Sequence, residues 1–200
     1  MTIKLIAGLG NSETSYFNTR HNFGSRYVKS LATRYKVILN KNTILCGYIG
    51  QLKLETNIVH LLIPDSHMNN NGLSVSKCVD FYQLCPQEIL VAHDDLDLPP
   101  GVMRIKLGKN MNNSHRGVKD VIVKLHNKYN FYRLRIGIGH PGKKSKVIDF
   151  VLNKPTIYEK YRIDHIINEA ILHTESIVNK KFIKVMNQLH GHKPDLLRKF

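Results

Sequence analysis

Two hundred residues suffice for one domain with a sizeable core and leave little room for a second. An apolar fraction of 42% and a charged fraction of 22% exclude a disordered or fibrous chain, and no stretch approaches the ~18 apolar residues of a membrane-spanning helix. The formal net charge of +15 points to a polyanionic partner, nucleic acid or an anionic membrane surface, with compositional drift toward lysine as part of the cause.

Cys46, Cys78 and Cys85 form no CxxC pair and are odd in number, which fits a reducing compartment and so a cytoplasmic protein. The first residues have no signal-peptide form, because the apolar run after Lys4 stops at Gly8.

In chain order, Ile3 to Ala7 is long enough for one buried strand, ended by Gly8 and Gly10. After a loop carrying Asn11, Tyr16 and Thr19-Arg20-His21-Asn22, apolar residues recur at four-residue spacing (Phe23, Tyr27, Leu31, Tyr35), a helix. Ile44–Leu54 and Ile58–Ile63 read as strands joined by a hairpin turn at 55–57, and the second is apolar enough to lie centrally. A polar loop, Asp65 to Gly72, leads into a helix from about Leu73 to Leu84. Glu88–Ala92 is the next strand and runs into His93-Asp94-Asp95-Leu96-Asp97. Alternation along that strand sends His93 and Asp94 to opposite sides. Val102–Leu107 reads as a short strand with Arg104 and Lys106 on one side, Gly117–Leu125 as a helix, and Tyr132–Ile138 as a strand exposing Arg133 and Arg135. Val147–Leu152 reads as a last extended piece. A helix is expected from Pro155 to about Val178, with a basic segment after Asn179. Strands alternating with helices, and one hairpin, predict a single α/β domain: a mixed, twisted sheet flanked by helices on both faces.

The polar residues Asn11, His21, Asn69, Asp94 and His115 all fall in loops at strand ends, which gather in one crevice of an open α/β sheet. A neutral histidine held by a carboxylate is a general base, and His21 with Asp94 is such a pair. Asparagines nearby suit a developing oxyanion or a peptide backbone. No GxSxG or other nucleophile motif is present, so water is the natural nucleophile. The run His93-Asp94-Asp95 with Asp97 leaves metal-assisted hydrolysis as a rival, although HExxH is absent. Gly8-Leu9-Gly10 lacks the third glycine of a dinucleotide fingerprint, since Glu13 stands there.

Taken together, Gly8-Leu9-Gly10-Asn11, Tyr16, Thr19-Arg20-His21-Asn22 with Gly24, Met68-Asn69 before Gly72, Asp94-Asp95-Leu96-Asp97-Leu98-Pro99 before Gly101, and Arg135-Ile136-Gly137-Ile138-Gly139-His140-Pro141 resemble the bacterial peptidyl-tRNA hydrolase family over nearly the whole chain. The resemblance implies cleavage of the ester between a peptide and the terminal ribose of tRNA, by a monomer without metal or other cofactor. It implies one catalytic domain over 1–190 and a basic tail over 191–200. It implies His21 as general base, Asp94 as its orienter and Asn11 as the group that tells a blocked peptidyl from a free aminoacyl substrate. Tyr16, His67, Met68, Asn69, His115 and Arg116 would contact the substrate, and Lys106 and Arg135 would hold tRNA phosphate.

The sequence also departs from the family pattern. Ser12-Glu13 replaces Pro-Gly, His67 replaces an aromatic, Asn70-Asn71 precede Gly72, and the 108–117 loop has lost glycines and gained a residue. Arg116 stands where a substrate-binding asparagine is expected. It either crowds the peptide or takes a phosphate or carbonyl in its place. These changes keep a second function class open, a non-catalytic RNA-binding module on the same fold.

Overall fold

The computed structural model describes residues 1–109 and 114–191. The middle of the altered 108–117 loop and the basic tail beyond Gly191 lie outside them. Strand β1 (Leu5–Gly8) is buried on both faces and lies at the centre of a seven-stranded sheet. The others are β2 (Asn40–Asn42), β3 (Gly47–Lys53), β4 (Ile58–Pro64), β5 (Ile89–Asp95), β6 (Met103–Leu107) and β7 (Tyr132–Gly137), in the order β2-β3-β4-β1-β5-β7-β6. The four central strands β4, β1, β5 and β7 run parallel, and antiparallel pairs close the two edges. The hairpin is as expected, with Lys53 opposite Ile58, and β4 is internal. The preceding strand starts at Gly47 rather than Ile44, because Cys46 turns the backbone through a positive φ of 53°.

Two helical layers cover the sheet. Helix α1 (Phe23–Arg34), α5 (Ile157–Leu172), α6 (Thr174–Val178) and α7 (Phe182–Gly191) bury one face with Tyr27, Leu31, Ile163, Ile167, Ile177 and Val185. Helices α2 (Asn71–Phe81) and α3 (Arg116–Lys124) bury the other with Val75, Val118 and Val121. β1 connects to β4 through α1 on one face, and β4 to β5 through α2 on the opposite face. The loops beyond β1, β4 and β5 therefore open together at the carboxyl end of the sheet, where doubly wound folds place their ligands.

Three sequence expectations need correction. Val147–Leu152 is helix α4, not an extended piece. Its β-branched and apolar residues read as a strand, but the segment pairs with no strand of the sheet and closes a short helix whose C-terminal carbonyls bond to Arg20. The long helix begins after Thr156, whose hydroxyl accepts from Glu159 N–H while the Glu159 carboxylate accepts from Thr156 N–H. Pro155 lies outside it. That helix breaks at His173, and the basic segment after Asn179 contains α7, anchored by buried Val185 and Leu189.

One close approach sets the entry to α1. Ser25 N–H donates to Leu9 O at 2.8 Å and Leu9 N–H to Ala92 O at 3.0 Å, so the helix start rests on the ends of β1 and β5. A Cβ on Gly24 would run into the carbonyl oxygens of Ala92 and Leu9. Gly24→Ala is expected to cost about 1–3 kcal/mol, as overpacked sites do, and to lower the Tm measured by thermal unfolding. An unchanged Tm would contradict this packing.

Candidate active site

The gathered loops enclose a cavity of about 290 Å³ that Asn11, Tyr16, His21, His67, Met68, Asn69, Asp94, His115 and Arg116 all line. Its opposite wall is apolar, made of Leu96 and of Val147, Ile148, Val151 and Leu152 from α4. Of the residues named from sequence, only Lys106 and Arg135 lie elsewhere.

Asp94 is the second-last residue of β5 and is 2% exposed. Its oxygens lie 3.0 and 3.1 Å from Nδ1 of His21, and Oδ1 lies 2.9 Å from Nε2 of His115. His115 is the N-cap of α3, and its Nδ1 accepts from Val118 N–H at 3.2 Å. That bond places the His115 proton on Nε2, which donates to Asp94. His21 likewise presents its Nδ1–H to Asp94. Its Nε2 then carries a lone pair and has no partner among the described residues. A third ring, His93, sits edge-on to His115 and donates from Nδ1 to Asp94 O at 2.7 Å. Burial, then the charge of His115, pushes its pKa down to about 3, so it is a neutral packing element.

Burial raises the Asp94 pKa, but the charges and hydrogen bonds of His21 and His115 outweigh it, and the carboxyl stays far below the usual range. For His21, burial pulls the pKa down, the charge and hydrogen bond of Asp94 push it up, and the Arg116 charge pulls it down again. The net direction is upward from 6.5. A neutral imidazole with an open Nε2 and raised proton affinity is suited to take a proton.

His21, Asp94 and His115 also have ligand atoms within 4.8 Å of one another, the outline of a metal site. The Val118 N–H that His115 Nδ1 accepts from suits protons better than a metal. A metal on Nε2 of His115 leaves a neutral ring with its proton on Nδ1, facing the Val118 N–H donor.

Asn11 is held on three sides. Its N–H donates to Asn22 Oδ1 at 2.7 Å, its carbonyl accepts from Asn22 Nδ2 at 2.9 Å, and its own Oδ1 accepts from Met68 N–H at 2.7 Å. The Nδ2 donors are the part of Asn11 left for the cavity. Asn71 locks the same two loops, accepting from Gly10 N–H and donating to the His67 carbonyl and the Ser66 hydroxyl. The sequence assigns Asn22 and Asn71 no role, since nothing in their spacing tells a buried loop-tying amide from a solvated one. Two of the departures meet at the rim, where His67 Nε2 lies 3.2 Å from a Glu13 carboxylate oxygen. Both side chains are more than half exposed, and surface pairs of this kind contribute little.

Lys106 and Arg135 lie on the β6–β7 edge. Register places Lys106 opposite Arg133 and Arg104 opposite Arg135, so four cations share one face of that ribbon. Arg135 is engaged by Asp95 through Nε at 2.6 Å and Nη2 at 3.1 Å, whereas Lys106 is exposed.

Residues 5–196 match the family model described as peptidyl-tRNA hydrolase. The chain belongs to the peptidyl-tRNA hydrolase family. It is 47% identical to a peptidyl-tRNA hydrolase of Sodalis glossinidius over 97% of this chain and 100% of that one, and 49% identical to that of Edwardsiella ictaluri over 96% and 97%. The crystal structure of peptidyl-tRNA hydrolase from Acinetobacter baumannii superposes with a TM-score of 0.90 at 41% identity, covering 96% of each chain. A complex of peptidyl-tRNA hydrolase with n-propanol matches equally well, at a TM-score of 0.90 and 41% identity. The family fold is the single α/β domain described above.

The electrostatics give a signed prediction. Arg116→Asn removes a charge that disfavours the imidazolium and is expected to raise the His21 pKa. Asp94→Asn removes the charge that favours it and is expected to lower the pKa. NMR titration of the His21 ring checks both, and shifts of the same sign in the two variants would contradict the assignment.

Proposed function

We propose that this chain hydrolyses the ester joining a peptide, or an N-blocked amino acid, to the terminal ribose of tRNA, and so returns tRNA from prematurely released peptidyl-tRNA. The observation that carries the reading is the open Nε2 of His21, backed by Asp94, in a chain of this family. In this mechanism Nε2 takes a proton from water as its oxygen bonds to the ester carbonyl carbon. Asp94 stabilises the imidazolium that forms. The tetrahedral intermediate collapses, the carbon–oxygen bond to ribose breaks, and the imidazolium returns its proton to the leaving ribose oxygen. The products are tRNA with a free terminal hydroxyl and a peptide carboxylic acid, which ionises to the carboxylate by releasing water's second proton to solvent. No metal enters these steps.

The remaining residues take roles that their surroundings support. His115 has both ring nitrogens engaged within the protein, so we read it as orienting Asp94 rather than binding substrate directly. Asn11 offers N–H donors, which suit the carbonyl of an acylated amino group and oppose a free ammonium, itself only a donor. Asn69, Tyr16, His67 and Met68 line the substrate's path. Arg116 faces the same cavity as a cation and takes the place of a neutral amide donor. The ribbon of Arg104, Lys106, Arg133 and Arg135 matches a phosphate backbone, with Lys106 the more available charge and Arg135 steadied by Asp95. The described residues contain no helix long and apolar enough to span a membrane, and we infer a cytoplasmic monomer acting on tRNA.

The test is metal-free hydrolysis of an N-acetylaminoacyl-tRNA beside the same tRNA with a free amino group. Only the blocked substrate is expected to be cleaved, with kcat/KM falling as pH drops and His21 protonates. His21→Ala is expected to lose at least ~10²-fold, the scale of a general base. Salt-sensitive tRNA binding with no cleavage would contradict the reading and indicate an RNA-binding module.

A further inference from the structure

Helix α4 supplies the apolar wall of the cavity, yet it is only six residues long, too short to be stable by itself. What fastens it is Arg20, the residue before His21. Arg20 is 6% exposed. Its Nη1 donates to the carbonyls of Phe150 at 3.2 Å, Asn153 at 3.3 Å and Lys154 at 2.9 Å, and its Nη2 donates to Glu159 Oε2 at 2.7 Å. The guanidinium lies 4.1 Å above the centre of the Phe150 ring, and Arg20 N–H donates to Asn153 O at 3.1 Å. Carbonyls at a helix end have no partner inside the helix, and a cation there faces the negative end of its dipole. Glu159 is itself fixed, because the same Oε2 accepts from Thr156 N–H at 2.8 Å. The end of α4, the 153–156 link and the start of α5 thus converge on one guanidinium.

Packing alone does not explain this choice. Burying an arginine is costly, its Nε is buried without a partner, and an apolar side chain would fill the space more cheaply. What arginine adds is a rigid fork of donors that fixes several carbonyls at once. We infer that Arg20 is a positioning residue for the hydrolase: it holds the α4 wall in place in the cavity that His21 also lines, so that the wall binds the apolar part of the substrate beside the ester. The kinetic half of this inference rests on the hydrolase reading above. The structural half does not.

The experiment pairs hydrogen exchange in residues 147–152 with steady-state hydrolysis of N-acetylaminoacyl-tRNA across pH, for wild type, Arg20→Lys and Glu159→Gln. Lysine keeps the charge but loses the fork. Arg20→Lys is expected to speed exchange in α4 and raise KM about tenfold, with kcat held within about threefold and the acid limb of the pH profile unmoved. Glu159→Gln is expected to move the same readouts less, and it decides the matter if Arg20→Lys does not fold. Wild-type exchange in α4, or a KM within about twofold of wild type, in a folded variant would overturn the inference. Should the wild-type chain not cleave the substrate, the hydrolase reading falls, and exchange in α4 still tells whether Arg20 holds the wall.

Discussion

A buried carboxylate cannot stay charged unless it is compensated, and the site depends on how Asp94 meets that constraint. It takes one N–H from His21 and one from His115, while its neighbour His93 is kept neutral and folded back on the Asp94 carbonyl. Each bond fixes a proton. Val118 N–H fixes the His115 tautomer, His115 and His21 keep Asp94 ionised, and Asp94 keeps the His21 proton on Nδ1. Within this cluster the basic nitrogen left facing the cavity is Nε2 of His21. The chemistry thus follows from satisfying one charge in a dry place.

The sheet makes this arrangement possible. His21 comes from the loop after β1, Asp94 from the end of β5 and His115 from the start of α3, so no two of the three lie on one local segment. The parallel register of β1 with β5 brings them together, and the crowding of Gly24 against Leu9 and Ala92 fixes the height at which His21 arrives. Asn11 and Asn71 bind the β1 and β4 loops to each other, Asn22 braces the β1 loop across itself, and Arg20 ties the end of α4 to that loop. Rigid loops around a small polar centre are what a general base needs, because misplacement by about 1 Å can cost ~10²-fold in rate.

Much of this could be read from the residues. The four-residue spacing of Phe23 to Tyr35, the nearly continuous apolar run of β4 and the turn at 55–57 each carry a single physical meaning, and the structure agrees with them. The His21–Asp94 pair was legible because alternation along β5 separates Asp94 from His93. Other features were not legible. Val147–Leu152 has strand-forming residues, and the contact that holds it as a helix, the grip of Arg20 on its last carbonyls, comes from a residue far away in sequence. The role of His115 depends on Val118 three residues later and Asp94 twenty-one residues earlier, a relation visible only in space. Arg135 reads as a cation for phosphate, whereas its fork on Asp95 shows that part of its charge is already used.

The account stands or falls on where the protons sit around Asp94. Nitrogen-15 NMR of the imidazole rings at a pH where both are neutral reads the tautomers of His21 and His115 directly. The account predicts the proton on Nδ1 for His21 and on Nε2 for His115. A His21 ring protonated on Nε2 would leave no base beside Asp94 facing the cavity and would contradict it.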